Sequence, residues 1–228
     1  MSRPKVITNF AITLDGKIST VARIPSTFSS ETDKKRFLEI RAMGDAVMAA
    51  RGTVEADDMR MTLPEAQLRN ERQSRGQSAE PLRVIVTGSG QLDPNLKVFQ
   101  TEGSPILIVT TTAIEKSQSK QLSQLGEVAP ISDPPLDLPK ALDYLSDQHG
   151  VHSVVCEGGP TLIREFFRAD LVTDVYLTVT PWLFGGQQSP TLTGVPGDFL
   201  PQLLEFELVD AKQVGQEIFT YYRRRRER

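Results

Sequence analysis

The stretch Val151-His152-Ser153-Val154-Val155-Cys156-Glu157-Gly158-Gly159-Pro160-Thr161-Leu162-Ile163-Arg164-Glu165-Phe166-Phe167 changes character twice. An apolar run that reads as a buried strand stops at Glu157. Two glycines then turn the chain, and a helical apolar face begins behind Pro160. Proline at the first helical position loses no hydrogen bond. Glycines let backbone approach a ligand closely, and unpaired N–H groups at a helix start attract phosphate. Glu157, directly after the apolar run, is costly to bury without a partner. Chemistry is expected here first.

A second junction has the same design. Asp45 to Ala50 reads as a buried strand and leads into Arg51-Gly52-Thr53-Val54-Glu55-Ala56-Asp57-Asp58. Thr53 and Asp57 are four apart, so a helix would place them on one face. Ligands of open α/β sheets collect outside the carboxyl ends of strands, so the two junctions are expected to wall one cleft. The plain alternative is that Thr53 caps its helix and the glycines only turn the chain.

Working outward, residues 5–13 read as a first strand, followed by the turn Leu14-Asp15-Gly16-Lys17. Ser30-x-x-Asp33 offers a capping signature before a helical face of Phe37, Leu38, Ile40 and Met43. Residues 65–80 read as a mobile loop or a surface helix. Strands are expected over 82–87, 106–111 and 175–180, and a helix over 139–148 stopped by Gly150. The Pro-rich segment 130–136 reads as a separator, and the end of the chain as antiparallel strands. Strands alternating with helices predict an α/β fold: a mostly parallel central sheet with helices on both faces and antiparallel C-terminal strands. No linker or repeat divides residues 1–228, so one domain is expected, with Arg223 to Arg228 a solvated basic tail.

Composition narrows the function. The chain of 228 residues is 39% hydrophobic and 24% charged, as expected of a globule with a real core. A net charge of -3 makes no case for nucleic acid, and no apolar run is long enough to span a membrane. The single cysteine, Cys156, sits in an apolar strand, reads as a buried structural thiol and suits a cytoplasmic setting. Two histidines three apart, without a second cysteine, argue against a metal site. There is no G-x-G-x-x-G after the first strand and no G-x-x-x-x-G-K-[ST] loop.

Asn9 would point to a face of the sheet from the first strand, while Asp15-Gly16 reads as an ordinary turn. Arg41 lies near the end of its helix, where it either satisfies terminal carbonyls or holds an anion.

Several blocks occur together and in order. They are Val6-Ile7-Thr8-Asn9 with Thr13-Leu14-Asp15-Gly16-Lys17-Ile18, and Arg41 before the 45–50 strand. Gly52-Thr53-Val54-x-Ala56-Asp57-Asp58, Arg83-Val84-Ile85-Val86 and Glu157-Gly158-Gly159-Pro160-Thr161-Leu162 follow. Leu171-Val172-x-Asp174 and Thr180-Pro181-x-Leu183-Phe184-Gly185-Gly186 complete the series. On these blocks the chain resembles the pyrimidine reductases of riboflavin biosynthesis, whose fold is like dihydrofolate reductase. It looks closest to the stand-alone reductases. A deaminase partner domain would need a Pro-Cys-x-x-Cys zinc set that one cysteine cannot supply.

The resemblance implies NADPH, held by Thr53, Asp57, Ser89 and the Gly158-Gly159-Pro160-Thr161 turn. It implies substrate contacts from Asn9, Arg41, Asp57 and Glu157, with Asp57 and Glu157 assisting proton transfer. The implied reaction reduces the ribose C1 of an opened ribosylaminopyrimidine 5′-phosphate to a ribitylamine. Homodimers through late strands are common in the family, and Phe199, Leu200, Leu203, Leu204 and Phe206 are the apolar candidates. The chain departs from the family pattern at Met59-Arg60-Met61-Thr62-Leu63-Pro64 and at Gly88-Ser89, near the expected substrate phosphate. A reductase of another small substrate, or a catalytically silent nucleotide-binding protein, are the competing readings.

Overall fold

Ser30 starts the first helix. The Asp33 N–H donates to Ser30 Oγ at 3.1 Å, the hydroxyl half of the anticipated cap. The other half is taken from outside, since Glu217 accepts the Ser30 N–H at 2.8 Å and the Ser30 hydroxyl at 2.6 Å. The helix, α1 (Glu31–Arg41), ends before Met43, which is therefore exposed rather than part of the apolar face.

The computed structural model describes residues 2–20, 28–193 and 200–225. They form two compact units, the first of residues 1–4 and 41–155, the second of 5–40 and 156–228.

The first unit carries β2 (Ala46–Ala50), α2 (Arg51–Asp57), α3 (Ala66–Ser74), β3 (Leu82–Val86), α4 (Lys97–Gln100) and β4 (Ile106–Thr111). These are followed by α5 (Lys116–Leu122), β5 (Glu127–Ser132), α6 (Leu138–His149) and β6 (Ser153–Cys156), whose last residue belongs to the second unit. Its strand order is β5-β4-β3-β2-β6. The β2–β3, β3–β4 and β4–β5 pairs are parallel, as near-continuous apolar runs such as Ala46–Ala50 require. Val47, Ala49 and Ile85 pack with Val54 of α2 and Val98 of α4 in one buried cluster. Asp137 caps α6 by accepting the Lys140 N–H at 2.9 Å, and Gly150 ends it at φ 63° as anticipated.

Of the two readings of segment 65–80, the surface helix is what forms, as α3, anchored by Arg72, which is only 1% exposed. Its guanidinium donates to the carbonyls of Ala42, Gly44 and Ser78. A polar composition hid that buried anchor. The Pro-rich 130–136 segment separates β5 from α6 as read, but its first three residues belong to β5. At the end of the strand order Pro130 need not donate to the ladder. The short helices α4 and α5 lie where no element was read.

The second unit carries β1 (Lys5–Ile12), most of α1, α7 (Pro160–Arg168), β7 (Val172–Val179), β8 (Phe206–Val214) and β9 (Glu217–Arg224), in strand order β1-β7-β9-β8. β1 and β7 are parallel, while β7–β9 and β8–β9 are antiparallel. The anticipated mostly parallel α/β sheet with antiparallel C-terminal strands is what forms. Arg36 secures α1 to this sheet. Its Nη1 donates to Thr178 Oγ1 at 2.9 Å, its Nη2 donates to the Thr220 carbonyl at 2.7 Å, and its guanidinium lies 4.5 Å from the Phe219 ring centroid. Leu162, Ile163, Phe166 and Phe167 form the buried face of α7.

The basic run at the C-terminus begins within structure. Arg223 and Arg224 belong to β9, and Arg224 Nε donates to Asp170 Oδ1 at 2.7 Å, because carboxylates of neighbouring segments receive them. Arg226 to Arg228 lie outside the described residues, as does Phe199. Among the described residues no helix is long and apolar enough to cross a membrane, and no group of His, Cys, Asp and Glu could hold a metal ion.

Candidate active site

In the first unit Thr53 and Asp57 lie on α2. This helix has no side-chain N-cap and no acidic residue in its first turn. Thr53 is half-buried, and Asp57 is the exposed last residue of the helix. Partial loss of water around the Asp57 carboxyl still pushes its pKa above the ordinary carboxylate value. Asp58 closes the helix in the left-handed conformation, at φ 43°. Its carboxylate accepts the Lys97 backbone N–H at 3.0 Å and lies 2.6 Å from Lys97 Nζ. Asp57 is thereby left to face solvent while its neighbour is spent on structure.

Arg41 is 6% exposed and donates from Nη1 to the Thr62 carbonyl at 2.6 Å. This bond reaches the segment where the chain departs from the family pattern. Met61 and Leu63 are both wholly buried. The Leu63 N–H donates to Glu80 at 2.8 Å, and Arg69 donates to the Leu63 carbonyl at 2.5 Å. The departures at 61 and 63 therefore fill core space rather than alter a ligand surface. Arg60 is exposed beside them. Ser89 is exposed after β3, with its Oγ accepting the Gln91 N–H at 3.4 Å.

In the second unit the diglycine turn takes the expected form. Gly159 is the N-cap of α7 and Pro160 its first residue. Gly158 is buried with φ 138°, a conformation that side chains rarely adopt. The Gly158–Gly159 peptide is cis. No side chain caps α7, so its first N–H groups are free to meet an anion, and Thr161 stands exposed beside them. Glu157 is half-buried. Cys156 is a fully buried free thiol, pushed up to about 12 mainly by burial, and so is no nucleophile. Asn9 is 8% exposed on β1, and its buried Oδ1 has no hydrogen-bond partner. An orphaned acceptor of this kind fits a ligand hydroxyl.

Asp15 was read as an ordinary turn residue, yet it joins two loops. Asp15 Oδ1 accepts the Thr13 hydroxyl at 2.5 Å and the Phe184 N–H at 3.3 Å, while Oδ2 accepts the Gly185 N–H at 2.7 Å. These bonds, the Thr13 hydroxyl foremost, hold its carboxyl below the ordinary value. Phe184 and Gly185 lie 169 and 170 residues away in the chain, which is why no local pattern signalled them.

A cavity of about 700 Å³ also opens in this unit, lined by Phe167, Val175, Leu177, Leu204, Phe206 and Tyr222. None of the predicted catalytic or ligand-binding residues lines it.

The comparisons follow this geometry. The RibD C-terminal domain profile matches residues 4–220. The chain is 34% identical over 190 residues to the 2,5-diamino-6-ribosylamino-4(3H)-pyrimidinone 5′-phosphate reductase of Archaeoglobus fulgidus, covering 83% of this chain and 86% of that protein. It is 31% identical over 221 residues to the reductase of the same name from Methanothermobacter thermautotrophicus, covering 96% and 98%. A pyrimidine reductase-like protein of Corynebacterium diphtheriae superposes with a TM-score of 0.84 at 19% identity, over 98% of this chain and 93% of that one. The riboflavin biosynthesis reductase of Saccharomyces cerevisiae superposes at 0.69 with 20% identity, over 98% and 90%. The uncapped α7 start behind a buried glycine pair, the orphaned Asn9 and these matches agree, and the chain belongs to the RibD C-terminal domain family of riboflavin-pathway reductases.

Proposed function

We propose that the protein reduces 2,5-diamino-6-ribosylamino-4(3H)-pyrimidinone 5′-phosphate, or its deaminated counterpart, to the ribitylamino product with NADPH. The observation that carries this reading is the start of α7. It is a helix N-terminus without a side-chain cap, preceded by a buried glycine at φ 138° that admits close backbone approach. Such a donor set fits a pyrophosphate. In the second unit the exposed Thr161, and in the first the half-buried Thr53 and the exposed Ser89, offer hydroxyls of the kind a dinucleotide takes.

The coenzyme, when bound, supplies hydride chemistry, and the chain supplies position and protons. Asn9 Oδ1 accepts a ribose hydroxyl, and Arg41 supplies positive charge toward the substrate phosphate. Asp57, its pKa raised by partial burial, and Glu157 orient ribose hydroxyls and assist proton transfer. The late apolar residues Leu200, Leu203, Leu204 and Phe206 line an open cavity and suit a homodimer contact, with Leu203 wholly exposed. The free, buried Cys156 is compatible with a reducing cytoplasm.

The test is NADPH consumption by purified protein. Turnover with either pyrimidine phosphate and none with dihydrofolate supports the proposal. Turnover of dihydrofolate alone replaces the substrate. Coenzyme binding without turnover of any of the three makes the protein a silent nucleotide binder.

A further inference from the structure

Leu14, Trp182 and Leu183 are 62%, 57% and 70% exposed, an unusual concentration of large apolar side chains at one place in the second unit. They are brought together because the Leu14 N–H donates to the Trp182 carbonyl at 2.8 Å. The two loops that carry them are joined along their length. Besides the three bonds to Asp15, the Ile18 N–H donates to the Pro190 carbonyl at 3.0 Å and Lys17 Nζ donates to the Ser189 carbonyl at 3.3 Å. Next to Leu183, the half-buried Phe184 meets Phe28 edge to face at 4.9 Å. Gly185 accepts the left-handed conformation, φ 66°, that brings its N–H to Asp15. The apolar tips are thus presented on a braced platform.

The platform lies beyond the carboxyl ends of two adjacent parallel strands, β1 and β7. There the Thr180 N–H still donates to the Ile12 carbonyl at 2.8 Å. That is where ligands of parallel sheets collect. Three side chains offer far less than the roughly 800 Å² that each partner of a stable dimer buries. One face of a flat heteroaromatic ring is a better match in size.

We propose that Leu14, Trp182 and Leu183 form the apolar wall against which a flat ring of the bound ligand packs, with Asp15 the positioning residue that holds the wall together. The inference rests on the reductase reading, which gives the site two flat rings, the nicotinamide and the pyrimidine. Both present the same chemistry to the wall.

Trp182 is the sole tryptophan, so its emission reports the wall directly. NADP⁺ and the pyrimidine ribosyl phosphate are added separately to the whole protein, with heat of binding recorded in parallel. A blue shift with NADP⁺ assigns the nicotinamide, and a shift with the pyrimidine assigns that ring. Heat from both ligands with no emission change overturns the wall and leaves the reductase reading standing. No heat from either ligand removes both. Trp182→Ala is expected to raise the KM of the assigned ligand about tenfold with little change in kcat. Asp15→Ala should raise the same KM and abolish the shift, and Asp15→Asn, which retains an acceptor for the Gly185 N–H, should restore part of each. An Asp15→Ala protein with a lowered melting temperature but an unchanged KM and shift would reduce Asp15 to a structural role.

Discussion

Arg41 Nη1 donates to the carbonyl of Thr62 at 2.6 Å, so a buried cation proposed to meet substrate phosphate also holds the segment carrying Met61 and Leu63. Arg41→Lys keeps the charge but not the fork of donors. Its KM for the pyrimidine phosphate should rise about tenfold or more, and its stability to urea should fall by roughly 1–3 kcal/mol from the unpaired carbonyl. An unchanged KM beside the lost stability would leave Arg41 as a brace only.

Asp57→Asn and Glu157→Gln should each lower kcat by about 10²- to 10⁴-fold if they move or orient protons, with coenzyme affinity within a few-fold of wild type. Because the Asp57 pKa is raised, its proton is present at low pH and is lost as pH rises through the folded value. Activity that depends on this proton should fall over that range, and the limb should vanish from the Asp57→Asn profile. Wild-type turnover in both variants removes the assignment.

Gly158→Ala forces a side chain onto φ 138°, a strain on the order of 1–3 kcal/mol. Melting temperature should drop, and calorimetric affinity for NADPH should weaken by at least tenfold as the turn shifts. Undiminished affinity would show that the turn does not meet the coenzyme.

Asp45 joins three segments of the first unit, accepting the N–H groups of His152 and Ser153 at 2.9 and 3.0 Å and the Gln77 amide at 2.7 Å. Burial pushes its carboxyl up, but the bonds from Gln77, His152 and Ser153 outweigh this and hold it below the ordinary value. Its contribution to stability is therefore present above the unfolded-state pKa and lost as pH falls through the folded one. Asp45→Asn should cost about 1–3 kcal/mol at neutral pH and much less in acid. Urea denaturation at both pH values is the check.

Cys156, with no exposed surface and its thiol pushed up to about 12, should ignore a disulfide reagent at mildly alkaline pH until the protein is denatured. Rapid labelling of the native protein would contradict the buried placement.

The strand–diglycine–helix run was legible because each of its signals is local. Apolar burial, a proline at the first helical turn and a 3.6-residue face all act within a few residues of one another. The same holds for Gly150, for the β2–α2 junction and for the parallel pairing of unbroken apolar strands. For segment 65–80 the choice between loop and surface helix was not legible, because one buried guanidinium reaching carbonyls about thirty residues away helps to order it. Asp15 does sit in the turn that was read, but its bonds to Phe184 and Gly185 were not legible for the same reason. In the strand 127–132 the prolines obscured an edge position that only the neighbouring strands define.

The chain's own order of residues determined the elements, the parallel architecture, the glycine turn at the head of α7 and the family, since these follow from periodicity, backbone restriction and ordered short motifs. Tertiary structure alone decided which polar side chains are spent on the fold and which remain for a ligand. Asp58, Arg72 and Asp45 are consumed by partners distant in the chain, while Asn9 keeps an unpaired acceptor and Trp182 an uncovered ring. Desolvation and hydrogen bonding depend on what lies within a few ångströms, and only folding sets that distance.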